Sequence, residues 1–110
     1  MGTSKEYADF LMEQFSSLGG VSCRKMMGDY ILYYQGKIPG GFFDNRLLVK
    51  PVQSAIDYVG TPVFEHPFEG AKEWLLIEDV DNAEFLCGLL FAMYDELPYP
   101  KPKKHKKKII

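Results

Sequence analysis

The sequence predicts a two-layer α+β domain, an antiparallel sheet with helices packed on it, and three features predict it. An apolar stripe at helical spacing opens the chain. Short β-branched and aromatic runs separated by turn residues follow, and a second capped helical stripe ends at Pro98. A chain of 110 residues fits one domain, and folding at that length buries about 65% of the unfolded surface. Apolar residues at 46% and charged residues at 25% are ordinary globular values, so the core needs neither a disulfide nor a metal.

The first helix is expected from Ser4 to Ser17. Thr3 and Glu6 have capping-box spacing, in which each side chain accepts the other's orphan backbone N–H. Tyr7, Phe10, Leu11, Phe15 and Leu18 recur on one face, and Gly19-Gly20 ends the helix. Tyr30 to Tyr34 then reads as a strand, Gln35-Gly36 as a tight turn and Ile38 to Phe43 as the return strand. Asp44-Asn45 turns the chain again into Arg46 to Val49. Pro39 lacks a ladder donor, so the middle strand is expected to bulge near its start. Gly40-Gly41 fits that bulge or the close approach of another backbone.

Pro51 suits the first position of a short helix through Tyr58, stopped by Gly60. A short extended piece is expected around Val63-Phe64, and Trp74 to Ile77 reads as a buried strand. Asp81 and Glu84 form a second capping-box pattern, with Val80 placed to staple onto Phe85. That last helix runs to about Glu96. The predicted order is α-β-β-β-α-β-β-α.

Charge divides the chain. Residues 1–100 carry all 15 acidic groups and only seven basic ones, a net −8, while residues 101–110 carry six lysines, a net +6. The expectation is a folded domain over 1–100 and a flexible basic tail over 101–110. The N-terminus lacks a secretory pattern, and no apolar run approaches the ~18 residues of a membrane span. Cys23 and Cys87 stand alone and read as reduced, buried small hydrophobes, which points to the cytoplasm.

No enzyme pattern emerges. His66 sits in a loop and His105 among lysines, neither with a nucleophile at a diagnostic spacing. Glu78, Asp79 and Asp81 lack the spacing and glycine of a calcium loop and suit a helix N-terminus instead. Neither glycine pair belongs to a phosphate loop. No catalytic residue, metal or cofactor is expected.

Aromatic placement carries more. Tyr30 to Tyr34 is apolar or aromatic on both faces, where a sheet covered on one side should turn polar on the other. The last helix carries an apolar arc wider than one core contact needs. Tyr30, Tyr33, Phe91 and Tyr94 are therefore the candidate protein interface, with a homodimer as the first expected partnership. Lys101, Lys103, Lys104, Lys106, Lys107 and Lys108 are the candidate nucleic-acid contact, weak and indifferent to sequence for want of a stacking aromatic.

The run Arg24-Lys25-Met26-Met27-Gly28-Asp29-Tyr30, then Leu32 to Lys37, Gly40-Gly41 and Leu47 to Pro51, resembles the N-terminal domain of the competence regulator TfoX. Pro67 to Lys72, Glu84 to Cys87 and Tyr94 to Pro98 extend the likeness over nearly the whole chain, in the manner of short stand-alone proteins built from that domain. The resemblance implies a secretion-chaperone-like fold of helix, three strands, helix, two strands and helix. It also implies a regulatory, non-enzymatic protein with no catalytic residues. In the Arg24 to Gly28 segment, Met26 and Met27 are expected inside and the two cations outside.

Truncation after Pro100 should leave the melting temperature within a few degrees. A large drop would show that the lysines dock on the acidic body. If the tail binds single-stranded nucleic acid, log K against log salt should slope by no more than about −4.

Overall fold

The computed structural model describes residues 2–99. Helix α1 spans Lys5–Gln14, and strands β1 Val21–Met26, β2 Asp29–Tyr34, β3 Lys37–Phe42 and β4 Leu47–Val49 follow. Helix α2 is Gln53–Val59, strands β5 and β6 are Phe64–Glu65 and Trp74–Ile77, and helix α3 is Ala83–Met93, continued by a 3-10 turn over Tyr94–Glu96. The α+β architecture and the element order hold, with β1 added ahead of the three expected strands.

Three two-residue turns build the first four strands. Met27 and Gly28 have φ of 53° and 90°, Gln35 and Gly36 have 48° and 84°, and Asp44 and Asn45 have 54° and 57°. Two successive positive φ angles match the right-handed twist of paired strands, so each turn returns the chain antiparallel to itself. Among the described residues the sheet has six strands in the order β1-β2-β3-β4-β6-β5, and every pair is antiparallel.

The Pro39 bulge is present. Leu32 pairs with Gly40 but Tyr34 pairs with Lys37, so Tyr33 alone faces both Ile38 and Pro39. The Pro39 carbonyl still accepts a hydrogen bond, from the Lys50 N–H at 2.8 Å. The two glycines beside it permit close approach on opposite faces. A Cβ on Gly40 would strike the Leu48 carbonyl and lie 2.7 Å from Val49 Cα. One on Gly41 would strike the Tyr30 carbonyl and lie 2.8 Å from the Phe43 ring.

One face of the sheet is covered by all three helices. Leu32, Tyr34, Phe42, Leu47, Val49, Leu75 and Ile77 point into it. They meet Ala8, Leu11 and Phe15 of the N-terminal helical segment, Ala55 of α2, and Leu86, Leu89, Leu90 and Met93 of α3.

The caps differ from expectation by one residue at both long helices. Ser4, not Thr3, caps α1, its Oγ accepting from the Tyr7 N–H at 3.1 Å. Thr3 is buried elsewhere. Its hydroxyl donates to Asp29 Oδ1 at 2.9 Å and accepts from the Asn45 N–H at 3.2 Å, which ties the chain start to two turns. At α3 the Asn82 side chain accepts from the Phe85 N–H at 3.0 Å, so the Asp81–Glu84 box does not form. Pro51 precedes the α2 cap Val52 rather than opening the helix. The Ser54 N–H of that bare end donates to Glu96 Oε1 at 2.7 Å, and this bond holds the Glu96 carboxyl below its ordinary pKa.

Buried Lys37 joins the hairpin to the end of α3. Its Nζ donates to the Tyr94 carbonyl at 3.0 Å and lies 3.9 Å from the Tyr94 ring centroid. Tyr94 in turn packs edge-on against Tyr34 at 5.4 Å.

Gly40→Ala should destabilise the protein by about 2–3 kcal/mol, because the new methyl meets the Leu48 and Val49 backbone of β4. Gly19→Ala, where nothing lies within 4 Å, should leave thermal unfolding almost unchanged. Equal melting temperatures for the two variants would contradict the close approach of β3 and β4.

Candidate functional site: the uncovered face of the sheet

Strand alternation sends a second set of side chains to the face without helices. They include Ile31 and Tyr33 from β2, Leu48 from β4, and Trp74 and Leu76 from β6, with bare Gly41 of β3 between them, Phe43 just past the end of β3, and Ser22, Arg24 and Met26 of β1 at the edge. An antiparallel sheet with one open face ordinarily carries polar residues there. Here the middle of the face is apolar.

Its own aromatics partly cover it. The Phe43 ring lies over the bare backbone of Gly41, which explains why Phe43 and Leu48 are buried without a helix above them. Trp74 meets Phe43 edge-on, with ring centroids 5.8 Å apart and planes at 79°; Phe68 lies tilted at 6.1 Å. Phe68 belongs to no helix or strand, and Arg46 holds its loop. Arg46 Nη1 donates to Glu65 Oε1 at 2.9 Å and to the His66 carbonyl at 3.2 Å, while Nη2 donates to the Pro67 carbonyl at 3.1 Å. Its Nε donates to the Phe43 carbonyl at 3.1 Å, so one guanidinium fastens both aromatics. His66 fastens the same loop: Nδ1 lies 2.6 Å from the Ala71 carbonyl, an acceptor, and so carries the proton.

Beside this stack is an apolar cavity of about 330 Å³ lined by Met26, Met27, Asp29, Ile31, Phe43 and Phe68. Met27 is 96% exposed, Phe68 59% and Met26 46%. The two methionines are therefore outside, against the expectation of a core role. The reason is positional: Met26 ends an edge strand on the uncovered face, and Met27 occupies the tip of a left-handed turn. The only charged group in the lining, the Asp29 carboxylate, is already engaged by Thr3 and by the Asp44 N–H at 3.0 Å.

The four aromatics singled out in the sequence do not converge. Tyr33 lies on the uncovered face. Tyr30 lies on the covered one, half-buried with its ring 6.2 Å from Phe42. Phe91 is 72% exposed on the side of α3 that faces away from the sheet, and Tyr94 packs between Tyr34 and Lys37. Cys23 and Cys87 are half-buried free thiols; burial pushes the Cys23 thiol up, which weakens it as a nucleophile. Lys101, Lys103, Lys104, Lys106, Lys107 and Lys108 lie outside the described residues. Among the described residues no helix is long and apolar enough to cross a membrane, and no group of three His, Cys, Asp or Glu could hold a metal ion.

Over 109 residues the chain is 36% identical to a Spirochaeta aurantia protein described as an uncharacterized 12.7 kDa protein in the trpE 5′ region, covering 98% of this chain and 95% of that one. The chain belongs to that protein's family. No family model matches it, and no solved structure does.

Sequence reasoning missed Phe43, Arg46 and Phe68. A signal for the last was present: Phe68 stands in a proline- and glycine-bounded loop where no periodic element would bury it. Arg46→Met should free that loop and cost about 1.5–3 kcal/mol, because several bonds to a charged donor are lost. Trp74, the single tryptophan, should emit further to the red in the variant. Unchanged emission and stability would mean that the aromatic stack holds Phe68 without Arg46.

Proposed function

We propose that this protein is a non-enzymatic, regulatory protein-interaction module of the kind its TfoX N-terminal resemblance implies, working in the cytoplasm as a homodimer joined through the uncovered sheet face. One observation carries the reading. Ile31, Phe43, Leu48, Trp74 and Leu76 form an apolar middle on a sheet face that no helix among the described residues covers, with exposed Met27 and Phe68 beside it. Two such faces can stack about 10 Å apart with interdigitated side chains, as in sandwich cores. Met26 and Met27 suit that role because unbranched thioethers repack against an incoming surface. The non-enzymatic part is supported by the cavity chemistry: its one carboxylate is spent on Thr3 and Asp44, so this lining offers no free acid or base to a substrate.

Sedimentation over a dilution series should show a reversible dimer. Phe68→Glu with Met27→Glu should raise its dissociation constant at least ~30-fold, the effect of losing a central anchor worth about 2 kcal/mol. The melting temperature of the monomer should barely move, since both side chains are exposed. Phe91→Ala should leave the dimer intact. Dissociation by Phe91→Ala alone would move the interface to the helix layer, and a wild type monomeric at every concentration would remove the dimer.

A further inference from the structure

We propose that the outer edge of β1 is a docking strand for an extended acidic segment of another protein, added to the sheet as a seventh strand. This goes beyond the dimer above, because stacking through the uncovered face leaves the edge of the sheet free.

The backbone supplies the first observation. The sheet ends on β1 at one side and on the two-residue β5 at the other, so β1 is its long edge. All six residues of β1, Val21–Met26, pair with β2 in unbroken register, and the strand contains neither proline nor bulge. The Gly20 carbonyl accepts from the Gln35 N–H at 2.8 Å, which sets the alternation. Even-numbered residues exchange hydrogen bonds with β2, and Val21, Cys23 and Lys25 direct their N–H and C=O groups outward. No backbone bond to these outward groups occurs among the described residues. An unbulged edge strand of this length, with its outer groups unpaired, is a template for strand addition.

Charge supplies the second. The body from residue 1 to 100 has a net charge of −8, yet the two charged side chains of β1 are both cations, Arg24 and Lys25. Both are exposed, and neither has an ion-pair partner among the described residues. Being adjacent in a strand, they lie on opposite faces and flank the edge from both sides. A second copy of β1 would bring four cations into one ribbon with no acid among them, which disfavours copy-to-copy pairing. An incoming strand with two adjacent acidic residues would meet Arg24 and Lys25 in turn. Its neighbouring residue opposite Met26 would lie beside the Met26–Ile31 cavity and should be apolar.

The test uses the full chain and three capped hexapeptides. Val-Glu-Glu-Val-Thr-Val should bind and slow amide hydrogen exchange at Cys23 and Lys25 at least about tenfold, the protection of newly paired strand amides. Val-Glu-Glu-Pro-Thr-Val has the same charge, so it feels the C-terminal lysines equally, but it lacks the donor facing Cys23 and should not protect either amide. Val-Lys-Lys-Val-Thr-Val should not bind. Arg24→Glu with Lys25→Glu should weaken the first peptide about tenfold or more and admit the third, an inversion that loss of folding would not produce. Diluted below the dimer's dissociation constant, the wild-type chain should bind the first peptide just as well, so failure of the face-to-face dimer leaves this result standing. Equal protection by the proline peptide, or none by the first, would overturn the proposal. So would protection of Cys23 and Lys25 that rises with protein concentration alone, since that would place a second copy on the edge.

Discussion

The Gly40-Gly41 pair in β3 is the constraint on which both faces of the sheet depend. Below the sheet, the missing Cβ of Gly40 lets the Leu48–Val49 backbone close on β3, which brings Val49 and Leu75 into the helix-covered core. Above it, the missing Cβ of Gly41 makes the seat for the Phe43 ring. Everything on the uncovered face is then referred to Phe43: Trp74 stands against its edge, Phe68 tilts beside it, and Arg46 binds its carbonyl while clamping the loop that carries Phe68. Two glycines that would weaken an ordinary strand by their conformational freedom are here required by close packing.

Long-range polar ties hold the helix layer to one side. Thr3 locks the start of α1 to the Asp29 and Asn45 turns, and Gln14 Nε2 donates to the Val80 carbonyl at 2.7 Å near the entry to α3. Lys37 grips the far end of α3 through the Tyr94 carbonyl and ring. Charge-assisted and buried bonds of this kind fix geometry as well as adding stability. With all three helices committed to one face, the covering of the other among the described residues comes from Phe43, Trp74 and the loop with Phe68.

Much of the fold was legible in the residues because its signals are local. Gln35-Gly36 and Asp44-Asn45 announced their turns, Trp74 to Ile77 its strand, and Pro39 its bulge. β1 was not legible, since Val21 to Met26 mixes polar and charged residues and draws its identity from pairing with β2. Caps slipped by one residue because Ser4 and Asn82 are as good as their neighbours, and tertiary bonds decide between them: Thr3 is taken by Asp29. Of the candidate interface, the apolar second face of β2 was readable as Ile31 and Tyr33. Which aromatics share that face was not, because parity along one strand says nothing of a loop residue brought over it by Arg46. The same long-range placement turned Met26 and Met27 outward.

The claim that the uncovered face is a working surface can be measured at its methionine methyls. The chain has five methionines, and Met26 and Met27 are exposed beside the cavity, whereas Met93 is buried at the end of α3, in the helix-covered core. Methyl relaxation by a soluble paramagnetic probe should be strong at Met26 and Met27 in dilute protein, and should fall at both as concentration rises, with Met93 silent throughout. Relaxation of Met26 and Met27 that stays high at every concentration, while another surface such as Phe91 becomes shielded, would contradict the account.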